Sequence, residues 1–162
     1  MMCDWDFEIP PPEYFSQVRR VSKNQIIWGG NYFDLPPTRG IICWDKEQPW
    51  ENFSAFELAW TSFDKPAAIF RYCNAGGVTG EKKIHPTQKP VALYKWLINK
   101  YAEPGDIILD THVGSASSLV AYRETNHKYV GFEIDEEYYT AARKRVDVAE
   151  AQMTIYDFMK GE

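Results

Sequence analysis

The sequence predicts one α/β domain, a three-layer arrangement built on a mixed, mostly parallel sheet with its antiparallel portion at one side, and three observations carry that expectation. From about residue 87 onward, segments of helical and strand period alternate, the pattern of β-α-β units. Ile107-Ile108-Leu109 is an unbroken apolar run, as a strand covered by helices on both faces requires. The chain has 162 residues, 44% hydrophobic and 25% charged, enough for one sizeable core and too few for two.

Taken in order, Pro10-Pro11-Pro12 opens an amphipathic stretch, Glu13 to Val21, that reads as a helix entered through proline. Four strand candidates come next: Gln25 to Trp28, Gly40 to Trp44, Glu57 to Ser62 and Ala67 to Tyr72. Each is rich in Ile, Trp, Phe or Tyr and bounded by turn residues. The last two are expected to form a hairpin around Phe63-Asp64-Lys65-Pro66. After a glycine-containing loop, Asn74 to Gly80, come a helix from about Thr87 to Tyr101, a strand Asp106 to Asp110, a helix Ser115 to Asn126, a strand Tyr129 to Ile134 and a helix Glu136 to Ala149.

Composition narrows the function classes. Cys3, Cys43 and Cys73 are odd in number and 40 and 30 residues apart, which excludes a disulfide framework and a C-x-x-C metal site and suits a reducing compartment. No apolar run approaches the ~18 to 20 residues that span a bilayer, and acids follow the first methionines where a signal peptide has bases. A cytoplasmic protein with no membrane partner and no metal is expected. The net charge of −5 argues against holding nucleic acid by bulk charge, yet residues 71–100 carry Arg71, Lys82, Lys83, Lys89, Lys95 and Lys100 against one acid, Glu81. That stretch is either a solvated lysine face or a phosphate-facing surface.

The strongest chemical signal is Asp110-Thr111-His112-Val113-Gly114-Ser115-Ala116-Ser117-Ser118, where an apolar strand ends and a helix begins. In open parallel sheets ligands sit beyond the carboxyl ends of strands, and a glycine there lets backbone approach a ligand closely. Gly114 is that glycine; Ser115 and Ser117 are candidate caps of the following helix. The next strand ends in Glu133-Ile134-Asp135, and an acid at that place can accept hydrogen bonds from both ribose hydroxyls. Glu133 is assigned to the ribose and Asp135 to capping the last helix. The full dinucleotide glycine fingerprint is missing, which disfavours NAD and favours S-adenosylmethionine, an adenosine without pyrophosphate. A third cluster, His85-Pro86-Thr87-Gln88-Lys89-Pro90, places Thr87 as an N-cap and the donors of His85, Gln88 and Lys89 at a helix start, suited to a carboxylate.

The order His85-Pro86-Thr87-Gln88-Lys89-Pro90, then Gly105-Asp106-Ile107-Ile108-Leu109-Asp110 with Gly114-Ser115, then Gly131-Phe132-Glu133-Ile134-Asp135 resembles the beta-group amino-methyltransferases of DNA, the N-4/N-6 DNA methylase family. Val21 to Phe33 and Trp44-Asp45-Lys46 are similar to segments of the phage-type adenine methyltransferases. The resemblance implies a Rossmann-like S-adenosylmethionine-dependent methyltransferase fold in a bacterial or phage-infected cell, of the restriction-modification or phage type. It implies transfer of a methyl group to the exocyclic amino group of adenine, with cytosine as the other target class, and DNA as partner. Carried over by position, Asp110, His112, Gly114, Ser115 and Ser117 fall in the family's D-P-F-x-G-S-G-T block on the methionine part of the cofactor. His85, Thr87, Gln88 and Lys89 fall where its carboxylate is held, and Glu133 with Asp135 at the ribose. Residues 1–72 then read as the remainder of the catalytic half, 73–84 as a short recognition-type loop and 85–162 as the cofactor half of one domain.

Two departures stand out. Thr111-His112 replaces Pro-Phe and Ala116 replaces the second glycine, so an aromatic contact to the cofactor is in doubt while the turn is expected to be kept. The family's D-P-P-Y, whose acid and aromatic hold the target base, has no counterpart; Ile9-Pro10-Pro11-Pro12-Glu13-Tyr14 offers only Glu13 and Tyr14 as weak catalytic candidates. The expectation is a truncated methyltransferase, or alternatively a catalytically impaired cofactor-binding relative or a subunit completed by a partner chain or a second copy at an open sheet edge. For DNA, Lys82 and Lys83 are candidate phosphate contacts, and Trp50 and Phe53 in the loop Trp50 to Phe56 are either base-stacking residues or packing.

Overall fold

The computed structural model describes residues 9–48, 50–73 and 83–160, the last eight of these as backbone alone. The loop Asn74 to Gly80 and Lys82 lie outside the described residues. The chain divides into two compact units, residues 1–72 and 73–162.

The first unit opens with helix α1 (Pro12–Val21), which starts with Pro12 in its first turn, where a missing N–H costs nothing. Phe15 is its buried residue and lies 5.0 Å from the ring of Phe33. Glu13 and Tyr14 sit in that first turn; the acid complements the helix dipole, and the Tyr14 ring meets Phe15 edge-on. Strands β1 (Ile26–Trp28), β2 (Ile41–Asp45), β3 (Phe56–Thr61) and β4 (Ala68–Arg71) form one sheet in the order β1-β3-β2-β4. Alternation along β2 buries Ile42 and Trp44, and the buried indoles of Trp44 and Trp60 donate to the carbonyls of Tyr72 and Pro36.

The expected hairpin of Glu57 to Ser62 with Ala67 to Tyr72 does not form. β3 pairs antiparallel with β1 on one edge and β2 on the other, so neither edge is left for β4, which pairs in parallel with the far side of β2. The connection 62–67 therefore steps over the start of β2, and Gly40 makes room: a Cβ there would lie 2.7 Å from the Phe63 carbonyl and 2.3 Å from Thr61 Oγ1.

In the second unit, α2 (Val91–Tyr101) precedes β5 (Ile107–Asp110), α3 (Ser117–Glu124), β6 (Lys128–Gly131) and α4 (Glu136–Lys160). Thr87 is not the cap of α2. Pro90 holds that place with extended backbone, and a proline disfavours helical geometry in the residue before it, so a helix begun at Thr87 would be interrupted at Lys89. α4 runs past the expected end at Ala149. β5 and β6 pair in parallel with Asp110 opposite Gly131. One face of this ribbon, Ile108 and Tyr129, packs with Ile98, Ala121 and Tyr122 of α2 and α3. The other face carries Ile107 and Val130 exposed, so the expectation of cover on both faces of β5 is not met. α4 contributes Ala142 and Val146 to a second cluster with Val113 and Ala116.

A 3-10 turn (Gly30–Tyr32) follows β1, and a Cβ on Gly30 would stand 2.4 Å from Trp60 Cβ and 2.9 Å from its backbone nitrogen. Gly30→Ala is therefore expected to destabilise the first unit by about 1 to 3 kcal/mol through overpacking, read as a lower urea midpoint at unchanged slope. An unchanged midpoint would show that the turn after β1 can move away from β3.

Candidate cofactor site

The chain leaves β5 through Asp110, whose carboxylate organises the turn into α3. One oxygen accepts the His112 N–H at 3.0 Å and the other accepts the Ser118 hydroxyl from the first turn of α3. Gly114 then adopts a left-handed conformation, φ +51°, which a glycine takes without steric cost. Its N–H donates to Glu133 Oε2 at 2.7 Å, and the second oxygen of Glu133 accepts the Asp135 N–H at 3.0 Å. Asp135 caps α4, accepting the N–H groups of Glu137 and Tyr138 at 2.9 and 3.0 Å. The structure thus brings Gly114, Glu133 and Asp135 together at the carboxyl ends of β5 and β6, with Asp135 in the capping role assigned to it.

His85 joins them. Its buried ring lies 3.5 Å from where a Cβ on Gly114 would be and 4.3 Å, centroid to centroid, from the ring of Tyr138. The Thr87 N–H and hydroxyl lie 3.3 and 3.1 Å from His85 Nδ1; the N–H donates to Nδ1, so the ring hydrogen of a neutral His85 sits on Nε2. Gln88 is buried and accepts the Ile84 N–H through Oε1, holding the His85–Gln88 turn, and Lys89 comes after it, half-buried. Thr87 and Gln88 therefore shape the His85 turn; neither caps α2.

Ser115 and Ser117 do not cap α3. The cap position belongs to Ala116, left-handed at φ +59° and without a side-chain hydrogen bond to the helix. The two serine hydroxyls lie 3.1 Å apart, and Ser117 Oγ accepts a hydrogen bond from Arg145 Nη1 at 2.9 Å. His112 is exposed, with its Nδ1 3.0 Å from the Thr111 hydroxyl, so the imidazole stands at the rim. Sequence reasoning missed Arg145, Tyr138, Ser118 and Tyr122; only helical spacing along 136–146 could have marked the first two.

The candidate DNA contacts divide. Trp50 and Phe53 are 53% and 71% exposed, on a loop tied by Gln48, which accepts the Trp50 N–H and donates to the Phe53 carbonyl. Lys83 is exposed, while two members of the basic stretch are ion-paired, Arg71 with Asp45 at 3.5 Å and Lys95 with Glu124.

Behind the loop, burial pushes the Tyr122 phenol well above its ordinary value; Asp110 adds to the rise and a hydrogen bond with Ser118 opposes it. With the folded-state value raised, the phenol is neutral in both states below pH ~10, and above that the unfolded chain ionises first. Stability of the second unit should therefore fall by up to about 1.4 kcal/mol per pH unit above pH ~10, and Tyr122→Phe should remove that part of the fall. Identical alkaline unfolding profiles for the two proteins would contradict the assignment.

Residues 27–144 match the family model for N6/N4 DNA methylases, described as DNA methylase. Among curated relatives, the chain is 40% identical over 82 residues to the Type II methyltransferase M.HpaI of Haemophilus parainfluenzae and 36% identical over 84 residues to the DNA adenine methyltransferase YhdJ of Escherichia coli K12. These matches cover 51% and 52% of this chain and 26% and 29% of the relatives, so the chain aligns with little more than a quarter of their length. Among solved structures, the M1.HpyAVI complex with SAM superposes with a TM-score of 0.66 at 22% identity over 86% of this chain and 84% of that one. The PvuII cytosine-N4-specific DNA methyltransferase gives 0.52 at 18% identity over 65% and 49%. The fold is thus the Rossmann-like α/β fold of these methyltransferases, and with the family model matched over well more than half its length, the chain belongs to the N6/N4 DNA methylase family.

Proposed function

We propose that this chain carries the S-adenosylmethionine-binding part of a DNA amino-methyltransferase acting on adenine. The observation that supports it most is the Glu133 carboxylate beside the left-handed Gly114, at the carboxyl ends of two parallel strands. A carboxylate has roughly four acceptor positions, so two described N–H bonds leave Glu133 able to accept from the hydroxyls of a ribose. Gly114 presents backbone without a side chain to the methionine portion, and the His85–Lys89 turn offers donors to its carboxylate. When bound, the cofactor supplies an electrophilic methyl group. Adenine is preferred to cytosine because YhdJ, a relative at 36% identity, is named an adenine methyltransferase, while the cytosine-N4 enzyme resembles this chain in fold alone. The compartment that fits is the cytoplasm of a bacterial or phage-infected cell; among the described residues no helix is long and apolar enough to cross a membrane.

Calorimetry with S-adenosylmethionine tests the reading. The chain is expected to bind, and Glu133→Ala is expected to weaken binding by about 1 to 3 kcal/mol, because it removes a charged acceptor and also frees the Gly114 N–H. No heat and no thermal shift from a folded sample at saturating cofactor would overturn the proposal. Transfer of labelled methyl to adenine-containing DNA should be measured on the chain alone and with a D-P-P-Y segment supplied in trans. Transfer only with that segment supports a protein completed by another chain; no transfer in either arm, with binding intact, supports the impaired relative. β5 and β6 pair only with each other among the described residues, and the free edge of this ribbon is the proposed place for such a partner or a second copy.

DNA affinity is proposed to come from phosphate contacts of Lys82 and Lys83 together with stacking by Trp50 and Phe53. Replacing both lysines with Glu should lower affinity and reduce its salt dependence. Trp50→Ala with Phe53→Ala should lower it by about 1 to 3 kcal/mol per stacked base, measured by fluorescence anisotropy on single-stranded oligonucleotides. Unchanged affinity in the aromatic variant would remove the loop from the interface.

A further inference from the structure

The three residues Gly114 to Ala116 hold two left-handed conformations, and the second falls on a residue with a Cβ. Alanine does not settle there unaided, because its Cβ crowds the following carbonyl, so the surrounding contacts must hold it. From the side of β6, the Val113 N–H donates to the Phe132 carbonyl at 3.0 Å and the Gly114 N–H to Glu133. From the side of α4, Arg145 Nη1 donates to the Ser115 carbonyl at 2.9 Å and to Ser117 Oγ at 2.9 Å, one residue before and one after Ala116. Both serines are buried, and a buried acceptor that loses its donor is costly. Charge does not explain the placement, since a guanidinium beside the start of α3 faces the positive end of that helix dipole. Its hydrogen bonds do.

We infer that Arg145 is a positioning residue that clamps Ser115 and Ser117 across Ala116, keeping that residue left-handed and the Gly114 N–H aimed at Glu133. It touches no reacting group; it acts through the loop. Without it, the backbone at 115–116 can relax toward the right-handed region, which turns the Gly114 amide away from Glu133 and spoils the surface offered to the cofactor. Glycine at position 116 would carry no steric cost in the left-handed state, so Ala116→Gly should make the clamp less necessary. That coupling separates positioning from a general contribution to stability.

The effect on cofactor binding rests on the proposed function; the effect on the loop does not, and the two are read separately. In cofactor-free protein, hydrogen exchange over residues 110–118 should be about tenfold faster in Arg145→Gln than in the parent, with α2 unchanged. For S-adenosylmethionine, Arg145→Gln should raise Kd about tenfold in the parent and less than about threefold when combined with Ala116→Gly. Arg145→Lys, which keeps a charged donor on a long stem, should recover part of the loss and stands in if Arg145→Gln does not fold. Unchanged exchange over 110–118 would overturn the inference, as would an equal loss of affinity in both backgrounds. A parent chain that binds no cofactor would overturn the proposed function, while the exchange result would still decide the role of Arg145.

Discussion

The carboxylate of Glu133 is the constraint on which the second unit depends. One oxygen takes the Gly114 N–H from the loop after β5, and the other takes the Asp135 N–H from the segment after β6. Asp135, so placed, caps α4 and sets where that helix begins. Ten residues on from Asp135, about 15 Å along an α-helix, Arg145 returns to the Ser115 carbonyl of the same loop. The loop is thus held from two directions, and both trace back to one side chain. A charged acceptor suits that task because hydrogen bonds to an ionised group are about twice as strong as neutral ones.

Close packing does the rest. Gly131, at the end of β6, allows the loop to lie across the strand: a Cβ there would stand 2.7 Å from Val113 Cγ2 and 3.1 Å from Leu119 Cδ2. Val113 joins Ala116, Ala142 and Val146 in a buried cluster, so loop and α4 share one small core. On the opposite side, Asp110 reaches forward to Ser118, which meets the buried Tyr122 phenol, tying the end of β5 to α3.

Features set by neighbours in sequence were legible in the sequence. The end of β5 at Asp110 and the Asp135 cap depend on a few adjacent residues, and each stands where it was expected. Long-range pairing was not legible. Nothing within Glu57 to Tyr72 says that both edges of β3 are taken by β1 and β2, so the hairpin expectation failed at the step where distant strands compete for edges. Thr87, Ser115 and Ser117 carry good cap chemistry, but Pro90 delays α2 and left-handed Ala116 takes the cap of α3, leaving the Thr87 hydroxyl to bond His85, the Ser117 hydroxyl to accept from Arg145 and the Ser115 hydroxyl to pair with that of Ser117. Trp50 and Phe53, although aromatic, are exposed on a loop tied by the Gln48 amide.

Ala116 shows how a left-handed position can be held by a residue with a Cβ. A glycine at position 116 would meet the left-handed requirement without steric cost, whereas alanine there costs about 1 to 2 kcal/mol. Against that, the methyl group of Ala116 is fully buried with Val113, Ala142 and Val146, worth about 0.8 kcal/mol. Alanine also restricts the unfolded chain by about 0.4 to 1 kcal/mol relative to glycine. The terms nearly cancel, so the substitution can persist with little change in stability. The difference lies in where the conformation is specified: a glycine would leave it open to the local backbone, while alanine requires the contacts of Arg145 and the α4 cluster. In this chain the loop after β5 and α4 form one structural element, although the sequence separates Gly114 from Arg145 by an entire helix and strand.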